Sequence, residues 1–386
     1  MLLLTAALAH AEVYALADAG ITLDLPSGWE MTRWSDWDFK GKTGDGAVLI
    51  EAWYTTFQVP VTKEAAESWA GLYSDKLDSM HAEGILRDTL SVEEVNGRTT
   101  ARTTMRFTLD KGGPKGAMFV AAFAVEGKVM HVATLAAGAN ASRAQTALDT
   151  LLNRLTVQKP PAEIVALAAP IDSDLGLRIT LPDGWRRPLP SEEDEAGKPL
   201  AALPIAPKDT SKCVRVIHPN ANGTADLVAF CQDNWKTGIL DELSFADVEL
   251  TARQHFFGKA GEKVPVAEKI ERTDRLGLLI APELADNDLR IGVMPYDRGT
   301  IVAWGIGAHG SGDALTSAVR STLTGLEFSG PEGGAAVYEV GDRISHILTY
   351  DPFHPAILAT GLFGLAIFGG TAWLIFGRKK PPVVHY

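Results

Sequence analysis

Gly20-Ile21-Thr22-Leu23-Asp24-Leu25-Pro26-Ser27-Gly28-Trp29 and Gly176-Leu177-Arg178-Ile179-Thr180-Leu181-Pro182-Asp183-Gly184-Trp185 align without a gap, 156 residues apart. Each reads as an alternating strand, then Pro-x-Gly turn chemistry, then a Trp large enough to cover a core. One such decapeptide says little; two at domain-length spacing predict a tandem repeat. The spacing places one unit at residues 19–157 and a second at 175–329. A linker at 158–174 is bracketed by Lys159-Pro160-Pro161 and Pro170.

The first unit predicts a hairpin from Trp37–Lys40 and Ala47–Thr56 around Lys42-Thr43-Gly44-Asp45-Gly46. A helix follows over 63–82, with Ala66, Trp69, Ala70, Tyr73, Leu77 and Met80 at helical spacing and Thr62 as its N-cap. Asn96-Gly97 is a strong hairpin signal, Glu126-Gly127 predicts another turn, and a helix over 142–155 closes the unit. The second unit repeats this order, ending in a helix over 313–326, and adds two insertions. Ser191-Glu192-Glu193-Asp194-Glu195 reads as a solvated acidic loop, and Leu200 to Pro207 as a Pro-rich extended run. The fold class expected is α+β: two tandem antiparallel-sheet domains with helices packed on a face, plus one C-terminal transmembrane helix.

That helix is expected at 353–377, which holds no Asp, Glu, Lys or Arg and is long enough to cross a hydrocarbon core of about 30 Å. Residues 330–352 are expected to form a linker and juxtamembrane segment, and 378–386 a short tail. Residues 1–11 read as a signal peptide ending in the A-x-A pattern Ala9-His10-Ala11. With Arg378, Lys379 and Lys380 held inside by the positive-inside rule, the expected topology is a single pass through a bacterial inner membrane. The head domains would be periplasmic and the C-terminus cytoplasmic. Within the span Ala356, Thr360 and Gly364, and likewise Ala366 and Gly370, recur every four residues and would let a second helix approach closely. A net charge of −12 argues against nucleic acid, where binding begins by neutralising phosphates.

Cys213 and Cys231 each stand nine residues from Asn222. Strands folded about that turn would bring the two opposite each other, within disulfide reach. Trp34, Trp37 and Phe39 are the candidate partner-binding residues; packing into the core is the competing reading, and alternation puts Trp37 and Phe39 on one face. The nine His residues are scattered, and no catalytic, cofactor or metal motif appears, so no such residues are assigned.

The order strand, L-P-x-G-W, hairpin, helix, N-G-R strand pair, two strands, helix resembles the PsbP-like family. Gly20 to Trp29, Asn96-Gly97-Arg98, the closing helix and Gly176 to Trp185 carry the resemblance. Arg275-Leu276-Gly277 replaces the Asn-Gly turn in the second unit, a looser match. The resemblance implies a non-catalytic assembly or binding role. The expected function is therefore an accessory or scaffold subunit, its heads touching an envelope protein and its helix docking on a membrane partner. The alternatives are a receptor for a small ligand or ion between the two heads, and an enzyme whose site is assembled from scattered residues.

Overall fold

The computed structural model describes residues 12–328, apart from 17–19, 36–37, 110–111, 208, 221–222, 234–241, 259–263, 266, 274, 285–286 and 297–298. The expected signal peptide, membrane helix and cytoplasmic tail lie outside the described residues. Among those described, no helix is long and apolar enough to cross a membrane.

The first unit runs β1 (Glu12–Leu16), β2 (Ile21–Leu25), β3 (Glu30–Arg33), β4 (Asp38–Lys42), β5 (Leu49–Tyr54), α1 (Lys63–Ser79), β6 (Ala82–Val95), β7 (Arg98–Leu109), β8 (Lys115–Val125), β9 (Lys128–Ala137), α2 (Ala141–Arg154) and β10 (Leu155–Val157). The second runs β11 (Ile171–Ser173), β12 (Leu177–Ile179), α3 (Glu193–Ala201), β13 (Val214–Pro219), β14 (Ala225–Asp233), α4 (Glu242–Phe257), β15 (Glu268–Glu271), β16 (Leu276–Ile280), β17 (Asn287–Tyr296), β18 (Gly299–Ala308), α5 (Gly312–Thr324) and β19 (Glu327–Phe328). The sheet orders repeat. A small sheet β1-β2-β10 answers to β11-β12-β19, and the large sheet β3-β4-β5-β9-β8-β7-β6 answers, β3 apart, to β13-β14-β18-β17-β16-β15. Every named strand pair is antiparallel.

The repeated decapeptide builds the same device twice. The Trp29 N–H donates to the Pro26 carbonyl at 3.0 Å and that of Trp185 to Pro182 at 3.1 Å. Gly28 and Gly184 sit at φ 79° and 81°, the left-handed corner of a type II turn that favours glycine. Each turn folds its Trp back toward the sheet. Asn96 and Gly97, at φ 52° and 71°, form the tight hairpin turn between β6 and β7. Thr62 caps α1 by accepting from the Ala65 N–H at 3.2 Å.

Period-two alternation divides the large sheet's residues between two cores. On β8, Ala121, Phe123 and Val125 face Leu148, Leu151 and Leu152 of α2 together with the small sheet. Met118, Val120 and Ala122 face Trp69, Tyr73 and Leu77 of α1. The helices therefore cover both faces, not the one face the sequence suggests. The second unit does likewise, with α5 on one side and α3 and α4 on the other.

A second repeated device was not read from the sequence. Arg98, just after the β6–β7 turn, donates to the carbonyls of Leu152 and Leu155 at the end of α2. Arg272, just after β15, donates to Leu323, Thr324 and Leu326 at the end of α5. Each places a cation where the helix dipole is negative and where last-turn carbonyls need donors.

The acidic stretch departs from expectation. Ser191 to Glu195 leads into α3 instead of forming a solvated loop, and Glu192 is fully buried. Leu200 and Ala201 close that helix rather than opening an extended run. The reason is a pair of partners: the buried Arg186 guanidinium six residues back, and the Gln58 backbone N–H, which reaches the carboxylate across the junction from the first unit.

Candidate functional site

Residues Thr55 to Gln58 run on from the end of β5, an interior strand of the first unit's large sheet, toward α1. Phe57 leaves its own unit and packs into the second unit's core, beside Leu200, Cys213 and Cys231. Thr55 backs onto Gly223, where a Cβ would come within 2.9 Å of the Thr55 side chain; only glycine gives that approach.

Around this plug lies a closed polar network. Glu192 accepts from both terminal nitrogens of Arg186 at 2.7 and 2.8 Å, a forked pairing. Its carboxylate also accepts the backbone N–H of Leu189 and, across the junction, that of Gln58, each at 2.8 Å. Arg186 in turn donates to the Gln58 carbonyl at 2.9 Å. The Gln58 side chain accepts from Gly127 and Ala162, both at 3.1 Å, and donates to the Ala162 carbonyl at 3.0 Å. Arg186 is 3% exposed and Glu192 0%, so neither charge reaches water. A buried pair of this kind needs further hydrogen bonds to its remaining groups, and the backbone of Leu189, Gln58 and Arg187 supplies them here. First unit, linker and second unit thus meet at one node.

Beside the node a groove of about 760 Å³ runs between the first unit and the linker. Val59 and Val61, the Asn96 to Thr99 turn, Asn153, Val157, Pro160, Pro161, Ile164 and Val165 form its walls. Arg98 is the sole charged residue among the described lining residues. Its Nε is buried without a hydrogen-bond partner, and burial lowers its pKa.

The cysteines pair as Cys213–Cys231, with Cα atoms 4.4 Å apart. The register Val214↔Phe230 makes them directly opposite across the β13–β14 hairpin. The bridge closes an 18-residue separation, and loop entropy assigns it about 3 kcal/mol. Replacing both cysteines by Ser should lower the urea-unfolding free energy by that amount. Intact mass should rise by two hydrogens on reduction; an unchanged mass would remove the bridge.

The aromatic candidates separate. Trp34 is 71% exposed, with the Lys40 ammonium 4.7 Å above its ring. Phe39 is 4% exposed and packs in the first unit's core against Tyr14 and Tyr54, so it is a core residue. Trp37 lies outside the described residues, as do Ala356, Thr360, Gly364, Ala366, Gly370, Arg378, Lys379 and Lys380. Among the described residues no group of three His, Cys, Asp or Glu is placed to hold a metal. Asp45, in the first hairpin, is instead paired with Arg143, which, with Thr43 and the Ala47 N–H, holds its carboxyl far below the usual range.

One buried group escaped the sequence reading. His131 on β9 is 1% exposed and joined by Nδ1 to the Tyr73 hydroxyl at 2.6 Å. Trp53 stacks on its ring and the Trp69 ring meets it edge-on, both at 5.3 Å between centroids. Burial, with the nearby Lys76 charge second, pushes its pKa down to about 3. Helical spacing marked Trp69 and Tyr73 as core; nothing local marked His131 as their partner.

No protein-family model matches the chain. No curated protein sequence matches it either. Solved structures do. The solution structure of cyanobacterial PsbP (CyanoP) from Synechocystis sp. PCC 6803 is 13% identical over 40% of this chain and 95% of that one, with a TM-score of 0.32. The Saccharomyces cerevisiae Ran-binding protein Mog1p is 9% identical over 38% and 95%, with a TM-score of 0.29. LpqN of Mycobacterium tuberculosis, involved in cell envelope biogenesis, is 13% identical over 38% and 90%, with a TM-score of 0.29. The chain's resemblance to the PsbP-like family is one of fold.

Proposed function

We propose that this chain is a non-enzymatic accessory or scaffold subunit of a bacterial envelope assembly. In this reading a helix at 353–377 anchors it in the inner membrane, with Arg378, Lys379 and Lys380 inside and the two sheet units outside. The observation that carries the reading is the junction built by Phe57, Gln58, Arg186 and Glu192. It ties the two sheet units together through buried contacts, and a surface held in place in advance loses less internal freedom when it meets a partner. The buried Cys213–Cys231 bridge supports an oxidising compartment. Sequence supports the span and its small-residue face.

Extraction of native membranes in mild detergent tests the proposal. A stable complex with another membrane component is expected by mass spectrometry; a protein recovered only as a monomer would sink it. Trp34 is exposed, and in this reading it is the residue of the head that meets the partner. Trp34→Ala should weaken partner capture about thirtyfold, the scale of an interface hot spot, without shifting the melting temperature. Unaltered capture would remove Trp34 from the contact.

A further inference from the structure

The groove beside the junction has features that a scaffold role does not use. Its volume of about 760 Å³ falls in the range of small-molecule sites. Val59, Val61, Val157 and Ile164 give it apolar walls, and Val165 stands 82% exposed at its rim. Such walls favour a ligand with an apolar body.

The charge is more selective. In a chain of net charge −12, the sole charged group among the described lining residues is a cation, Arg98. Its guanidinium donates to the Leu152 and Leu155 carbonyls and lies 5.1 Å over the Phe123 ring, and none of these contacts is a carboxylate. Those two bonds hold the guanidinium in place, so a ligand need not order it. A guanidinium has five N–H donors in a planar fork that suits carboxylate and phosphate alike, and one cation between apolar walls matches a singly charged carboxylate better than a phosphate of nearly two charges.

We propose that this groove binds a small amphipathic carboxylate, its apolar body on the valine wall and its anionic end at Arg98. The site lies on the first unit and the linker, not between the two heads. Binding there would also brace the linker against the first unit, since Gln58 belongs both to the groove and to the junction. The proposal stands apart from the scaffold reading, because no partner is needed to fill the groove.

Naphthalene-2-carboxylate and its neutral counterpart naphthalene-2-carboxamide, titrated into the full-length protein by saturation-transfer NMR, test it. The carboxylate should bind about tenfold more tightly than the amide, the scale of one hydrogen bond to a charged group. Arg98→Gln should abolish that preference. Because Arg98 also caps α2, Val165→Asp supplies a second arm at an exposed position that folding does not depend on. It should weaken carboxylate binding several-fold. Equal binding of the two probes, no binding of either, a preference that survives Arg98→Gln, or carboxylate binding unchanged by Val165→Asp would overturn the proposal.

Discussion

Glu192→Ala should lower the unfolding free energy by about 3–5 kcal/mol, the usual cost of stripping one partner from a buried ion pair. The substitution leaves the Arg186 guanidinium, 3% exposed, without a counter-charge. It also orphans the backbone N–H groups of Leu189 and Gln58, which both donate to that carboxylate. Loss of the Gln58 contact should loosen the attachment of the first unit to the second, so urea unfolding should broaden or split into two transitions. Glu192→Gln keeps an acceptor and should cost less. Arg186→Met with Glu192→Leu should recover much of the loss, since apolar replacement of a whole buried pair is often neutral or stabilising. It should not recover all of it, because the two backbone donors stay unpaired. A loss below about 1 kcal/mol for Glu192→Ala would mean that Arg186 reaches water and that the junction opens readily.

The contrast between what the residues foretell and what they conceal follows from range. The L-P-x-G-W turns, the Asn-Gly hairpin, the Thr62 cap and the stripe of α1 are local devices, each written within a few residues. The cysteine pairing was legible because symmetry about one turn sets hairpin register. Glu192 was misread because its local context, Ser191-Glu192-Glu193-Asp194-Glu195, is that of a solvated stretch, whereas one of its bonds crosses 134 residues to Gln58. Phe57 likewise looks like the end of a strand, yet its ring belongs to the other unit's core. Phe39 and Trp34 sit five residues apart with similar chemistry, yet Phe39 lies on β4 with its ring buried while Trp34 lies just past the end of β3 with its ring exposed. The groove is a long-range product as well: the Asn96 turn, the end of α2 and the linker meet only in the folded chain.

Acid should expose His131. Its pKa in the folded protein is about 3 against an ordinary value of 6.5, so between those limits the unfolded chain binds a proton that the folded one refuses. Stability therefore rises with pH through this window; it is fully present above pH 6.5 and is lost as pH falls toward 3. The slope approaches about 1.4 kcal/mol per pH unit, so His131 alone should cost about 2 kcal/mol at pH 5 and about 3 kcal/mol at pH 4. The cause is enclosure. Trp53, Trp69 and Tyr73 leave no water to solvate an imidazolium, and Lys76 adds a like charge nearby. Burial likewise raises the Tyr73 pKa, so its hydroxyl stays neutral and joins the ring by an uncharged hydrogen bond. Depressed carboxylates such as Asp45 and Asp209 also lose stability in acid, but only as pH drops below their ordinary 3.8. Between pH 6.5 and 4.5 the histidine slope is thus separable from theirs. His131→Gln can still share a hydrogen bond with Tyr73 but cannot titrate, so it should flatten the slope even where it lowers stability at pH 7. Urea unfolding at half-unit pH steps reads the difference directly. Equal slopes for the two proteins would mean that His131 takes its proton without unfolding, through an opening of α1 over the sheet.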